Sequence, residues 1–201
     1  MKSDKLDRRV QYTLMVLKQS LLELMADQPI SRITVTEICE RANINRGTFY
    51  VYYHDPYDLL AQIQNELDDD IQATLAKDMH SSRDVTVEIL RSIAAQRSLC
   101  TVLFGKYGDA AFLQQLIYNA RDQFVEDWRT NARRADADEV GRFYIFIANG
   151  IAATIQDWLQ RDMAETPEEF ASFIEKAISH GLSAFVTTQQ APKEQASNTR
   201  A

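Results

Sequence analysis

Arg46, Thr48, Tyr50 and His54 fall within nine residues and could do chemistry together. On a helix, Tyr50 and His54 stand one turn apart and could pass a proton. Arg46 and Thr48 beside them suit another task. An Arg bonds guanine O6 and N7, and Tyr and Thr hydroxyls bond phosphate oxygens, which is the polar set a DNA major groove accepts. His80 and His180 lie far along the chain, with no HExxH, no glycine-rich phosphate loop after a strand and no serine elbow, so no catalytic residue, metal site or cofactor is expected. Glu66, Asp68, Asp69 and Asp70 are a dense acidic run. Consecutive acids on a helix point different ways, and a solvated face is the better reading.

The segment from Ile33 to Leu60 must position the first group. Thr34 and Glu37 form a capping box, which predicts a helix start with Val35, Ile38, Cys39 and Ala42 on its inner face. Asn43 readily adopts the left-handed conformation and should stop that helix. Ile44 plugs the turn, and Asn45 caps a second helix of about two turns. Phe49 and Tyr53, four apart, can face inward there, leaving Arg46, Thr48, Tyr50, Val51 and Tyr52 largely outward. Asp55 then caps, and Pro56 occupies the first position of a third helix. Two short helices around a tight turn read as a helix-turn-helix.

Residues 8 to 64 resemble the DNA-binding domain of the TetR family of transcriptional regulators. The likeness rests on Thr34-Val35, Ile38, the small Cys39 and Ala42, then Gly47-Thr48-Phe49-Tyr50, Tyr53, Asp58 and Leu59-Leu60. It implies DNA contacts at Thr36, Arg46, Thr48, Tyr50, Val51, Tyr52 and His54. Asn43 stands where the family usually has glycine, and Pro56 where many members have a phosphate-touching lysine.

The net charge of −7 becomes informative when divided. Residues 1–54 hold eight Lys and Arg against six Asp and Glu, and residues 55–201 hold fourteen against twenty-three, so the first part is +2 and the remainder −9. That asymmetry points the N-terminal part at nucleic acid. Hydrophobic residues make up 45% of the chain with six Gly and four Pro, which favours an all-helical protein with a sizeable core. The longest mostly apolar run, Phe143 to Ile155, is too short for a membrane span and holds Asn149. With Cys39 and Cys100 unpatterned, a soluble protein of the reducing cytoplasm is expected.

Helical patterns are predicted over residues 7–25, over 56–79 as a lever leading out of the DNA-binding unit, and then over 83–96, 99–104, 109–131, 136–162 and 167–186. Aromatic residues concentrate between 104 and 144. Core packing explains most, and Phe104, Phe112, Tyr118, Trp128 and Phe143 are the candidates to line a ligand pocket. The last two long helices are apolar on more than one side, so Ile151, Ile155, Trp158, Ile174, Ile178, Leu182 and Phe185 are expected between two copies in a four-helix interface. TetR-like proteins are similar in dimerising this way.

The expected architecture is all-α. A helix-turn-helix domain (1–56) joins through a long helix to a helical regulatory and dimerisation domain (57–186), followed by a disordered tail (187–201). The expected function is a homodimeric, ligand-responsive repressor that binds a palindromic operator in double-stranded DNA and answers to an unknown small-molecule effector. The alternative is a TetR-like activator or co-regulator whose C-terminal domain binds a protein partner.

Overall fold

Most of the early helix starts carry a side chain that bonds back into the turn, and these caps set the boundaries. The computed structural model describes residues 2–77, 81–121 and 137–184, and over these the chain is all helical. Helix α1 spans Lys2–Met25. It buries Leu17, Leu21, Leu24 and Met25 beneath the segment that follows. A 3-10 turn at Ile30–Arg32 leads to buried Ile33 at the joint. Thr34 and Glu37 form the expected capping box on α2 (Val35–Ala42). Asn43 ends α2 at φ 53°, ψ 44°, in the left-handed region, and its N–H bonds Cys39 O and Glu40 O. Helix α3 (Arg46–Tyr52) starts from the Asn45 cap, and α4 (Pro56–Leu75) from the Asp55 cap.

Helix α4 is about 30 Å long at 1.5 Å per residue. Leu60, Ile63, Leu67, Ile71 and Leu75 lie buried along one side of it. The sequence predicted a helix running to Met79. It ends instead at Leu75, where the buried stripe ends, and Ala76 closes the last turn, while residues 78–80 lie outside the described set.

Helices α5 (Ser82–Ala95), α6 (Arg97–Leu103) and α7 (Ala110–Asn119) follow. The predicted extension of α7 to residue 131 closes at the Ala120 cap as far as it is described, and the rest of it, with Trp128, lies outside the described residues. Helix α8 (Ala137–Gln160) and α9 (Pro167–Ser183) are antiparallel neighbours. Their tight turn holds Asp162 and Met163 at φ 65° and 54°, conformations that L residues rarely adopt. Arg161 bonds Asp157 and Glu165 across it, and Trp158 Nε1 donates to Glu165 O at 2.9 Å. Gly181 of α9 lets the Phe143 ring of α8 come close, since a Cβ there would lie 2.4 Å from the ring.

Helix α5 packs on α4 and α9, and α8 on α6, α7 and α9. One buried apolar cluster runs continuously from Leu17 and Phe49 through the α4 stripe to Trp158 and Ile174. Each such fully buried Leu, Ile or Phe contributes about 1.5–3 kcal/mol. Half-exposed ion pairs, Arg83–Glu175 at 3.2 Å and Arg91–Glu168 at 2.6 Å, add at most about 1 kcal/mol each between α5 and α9. Among the described residues no helix is long and apolar enough to cross a membrane, and no group of three His, Cys, Asp or Glu could hold a metal.

Candidate nucleic-acid interface and adjoining cavity

Three caps in succession hold the α2–α3–α4 unit. Thr34 Oγ1 accepts from Glu37 N at 3.2 Å, while Glu37 Oε2 accepts from Thr34 N at 2.8 Å and from the Thr34 hydroxyl at 2.7 Å. These bonds hold the Glu37 carboxyl below its ordinary pKa. Asn45 Oδ1 accepts from Gly47 N at 2.7 Å, and a Cβ at Gly47 would press on that oxygen at 3.2 Å. Asp55 Oδ1 accepts from Asp58 N at 2.9 Å, and Asp58 Oδ2 in turn accepts from His54 N at 2.9 Å. The α3–α4 corner is therefore fixed by side chains at both of its helix ends.

Helix α3 divides as its sequence suggests. Phe49 is wholly buried and Tyr53 nearly so, their rings 5.7 Å apart. Burial, first of all, pushes the Tyr53 hydroxyl up to about 12. Arg46, Tyr50 and Val51 are exposed, Val51 by 72%, and Thr48 is half-buried at the edge. The Tyr50 hydroxyl, one turn along, raises the guanidinium pKa of Arg46 further. Thr36, in the first turn of α2, and His54, after α3, are also exposed. Tyr52 departs from the expected outward direction, being half-buried and packed against the core cluster. Pro56 is buried at the start of α4, and Tyr57 beside it is 54% exposed.

An apolar cavity of about 100 Å³ lies where α4, α5, α7, α8 and α9 meet. Its walls include Ile71 of α4, Leu90 and Ile93 of α5, and Leu116, Ile117 and Phe104. Of the predicted pocket aromatics that are described, only Phe104 lies on this wall, and Trp128 lies outside the described residues. Phe112 is buried against Phe104 with ring centres 6.2 Å apart, and Phe143 is buried in a smaller cluster beside Gly181. Tyr118 is 67% exposed and borders a separate surface groove. Apart from Thr86 and Tyr144, the residues that sequence reasoning missed are aliphatic, and aliphatic residues on a helix stripe look alike whether they fill a core or line a void.

The expected dimer residues also move. Ile151, Ile155, Ile174 and Ile178 line the cavity from α8 and α9. Trp158 is 0% exposed and stacked on Phe170, and Leu182 packs on the Phe143 cluster. Ile155, Trp158 and Ile174 are thus buried within the chain's own interior. Phe185 lies outside the described residues. Cys39 and Cys100 are buried free thiols, and burial pushes Cys100 up to about 12, so it is an inert core residue.

The chain matches two family models, that of the bacterial regulatory proteins of the tetR family over residues 20–63 and that of a transcriptional regulator C-terminal region over residues 81–180. It is 22% identical to the uncharacterized HTH-type transcriptional regulator YxbF of Bacillus subtilis (strain 168), in an alignment covering 81% of this chain and 44% of that protein. The chain thus spans less than half the length of that relative. Its fold is similar to the TetR transcriptional regulator from Streptococcus agalactiae 2603V, at TM-score 0.63 and 20% identity over 92% of this chain and 99% of that one. It is also similar to NalD, the secondary repressor of the MexAB-OprM multidrug efflux pump in Pseudomonas aeruginosa, at TM-score 0.61 and 18% identity over 87% and 97%. With its helix-turn-helix and its C-terminal helices matched by models of one kind of regulator, this chain belongs to the TetR family of DNA-binding transcriptional regulators and is not an enzyme.

Proposed function

We propose that the protein is a cytoplasmic homodimeric repressor that leaves a palindromic operator when a small molecule enters the cavity. One observation carries this reading: α4 begins at the corner that holds α3 and reaches the cavity with Ile71 in its wall. A ligand that needs Ile71 to move must pivot the helix on which the DNA-reading unit sits. Two recognition helices meet successive major grooves only when they lie about 34 to 36 Å apart. A small pivot changes that spacing. The shift in population is limited to the ligand's difference in affinity for the two states, typically about 1 to 3 kcal/mol, and DNA weakens the ligand by the same factor.

In this reading Arg46, Thr48, Tyr50 and Val51 meet the groove, and Thr36 and His54 meet its backbone. The second copy docks on the outer sides of α8 and α9. Phe146 is 74% and Phe173 55% exposed there, flanked by exposed Gly150, Ala153 and Ala177, and a Cβ at Gly150 would meet nothing within 4 Å. Large apolar side chains beside small ones allow two helix pairs to approach closely.

The test is selection of bound fragments from genomic DNA by the purified protein, followed by transcription in vitro from the promoters so found. A repeated inverted sequence and lowered transcription are expected. Binding without sequence preference, or raised transcription, would overturn the repressor reading.

A further inference from the structure

The cavity and the surface groove between α7 and α8 share a wall made by Ile117, Tyr144 and Ala148, yet their chemistry differs. No described residue on the cavity wall is charged, and its hydroxyls belong to Thr86 and Tyr144. Thr86 Oγ1 donates to Ser82 O at 2.9 Å, and Tyr144 donates to Ile117 O. Both hydroxyl protons are thus committed to backbone carbonyls. An ion or a strong acceptor entering would lose its water without replacement, which is costly, whereas a hydrocarbon would lose nothing. Dry apolar cavities of about 150 Å³ take up benzene, so about 100 Å³ suits a shorter hydrocarbon segment.

The groove offers what the cavity lacks. Gln114, Gln115 and Asn149 border it. Gln114 Nε2 donates to Asn149 Oδ1 at 3.3 Å, and Asn149 Nδ2 donates to Ile145 O at 2.7 Å. A carboxamide has two N–H donors and an oxygen with two lone pairs, so these bonds leave each amide one N–H and an acceptor position for a ligand. Among the described residues, Arg121 is a cation near this wall, 6.0 Å from the Tyr144 ring centre, and it borders neither space.

We propose that cavity and groove are two compartments of one effector site for an uncharged amphiphile. A short alkyl chain occupies the cavity, and a neutral hydrogen-bonding head, such as a hydroxyl, amide or ester, sits at Gln114 and Asn149, with the chain crossing the shared wall at Ala148. The assignment rests on the ligand-responsive reading given above and adds the chemical class of the effector.

The experiment titrates the full chain with 1-alkanols from propanol to decanol, and with the carboxylates and amines of equal length, by calorimetry. Release from the selected operator is followed in parallel. Each added methylene should tighten alkanol binding about fourfold until the cavity is full, after which affinity levels off. Carboxylates and ammonium ions should bind at least tenfold more weakly. Replacing the exposed Gln114 and Asn149 together by Leu should weaken all alkanols by about the same factor, roughly tenfold, and leave the chain-length slope unchanged. Ala148→Leu should flatten the slope for the longer chains. Preference for the carboxylates, abolished by Arg121→Gln, would overturn the neutral class while leaving ligand response intact. A slope unaffected by Ala148→Leu, or no binding by any alkanol, would overturn the two-compartment site. Alkanol binding with the expected pattern but no operator release would uphold the site and overturn the ligand-responsive reading.

Discussion

Truncating Phe146 to Ala separates a dimer face from a merely exposed ring. A Phe side chain presents roughly 200 Å² when free, so 74% exposure leaves about 150 Å² open to a partner. An Ala at that position keeps roughly a third of it, and the loss is about 100 Å² per copy, or about 200 Å² in a two-fold dimer that uses the position twice. At about 25 cal/mol per Å² this amounts to about 5 kcal/mol if the ring is fully covered, and a dissociation constant raised by three to four decades. The ring contributes little to the monomer, and Ala is the better helix former, so far-UV circular dichroism should show unchanged helix content. Sedimentation equilibrium over a broad concentration range is the assay. A constant that moves by less than tenfold would place the interface elsewhere. Trp158→Phe is the contrast: it removes a bond to Glu165 O inside the core, so it should lower monomer stability by about 1 to 3 kcal/mol.

Arg46→Ala should cost about 1 to 3 kcal/mol of operator binding and relax preference at one base pair per half-site, measured across single-base operator variants, where a uniform loss would contradict the groove contact. Glycines at exposed Asn65 and Asp69 soften α4 between Ile63 and Ile71 at about 1 kcal/mol each, and should leave effector affinity intact while operator release by effector declines. Asn43→Ala should unfold in urea at lower stability than Asn43→Gly by about 1 kcal/mol, because the position sits at φ 53°. Cys100 is raised from about 9 to about 12 in the folded chain, so its contribution is complete below pH 9 and lost as pH climbs toward 12. Urea titrations of Cys100→Ala over that range should show a shallower alkaline decline than the parent, and equal slopes would refute the assignment.

The N-terminal third was legible because its signals are local. Thr34 with Glu37, Asn43, Asn45 and Asp55 each act within four residues, so the caps and the left-handed stop can be placed without knowing what packs on them. The exposed face of α3 followed from Phe49 and Tyr53 alone. Tyr52 did not, since its half-burial depends on neighbours outside the helix. The C-terminal helices carry the opposite problem. Their stripes tell that Ile151, Ile155, Ile174 and Ile178 are turned away from water, but hydrophobic patterning does not distinguish a partner from an internal void. The exposed Phe146 and Phe173 were overshadowed because the regular positions lie elsewhere on the same helices. The end of α4 at Leu75 shows a related limit, for no Gly or Pro marks it.

The Tyr50 hydroxyl one turn along from Arg46 favours its charged form, and in the proposed reading this pairing bears on how fast and how selectively DNA is read. A free Arg side chain carries about 2 kcal/mol of rotamer entropy, and a groove contact ordinarily has to remove it at the moment of encounter. Where the guanidinium keeps to the Tyr50 hydroxyl, part of that freedom is lost before any DNA arrives. Such a side chain samples fewer wrong geometries at each site it tests, so a mismatched base pair finds less opportunity for accommodation. In the proposed reading, discrimination between operators would then rest partly on the neighbouring tyrosine, and not only on the hydrogen bonds made to the bases.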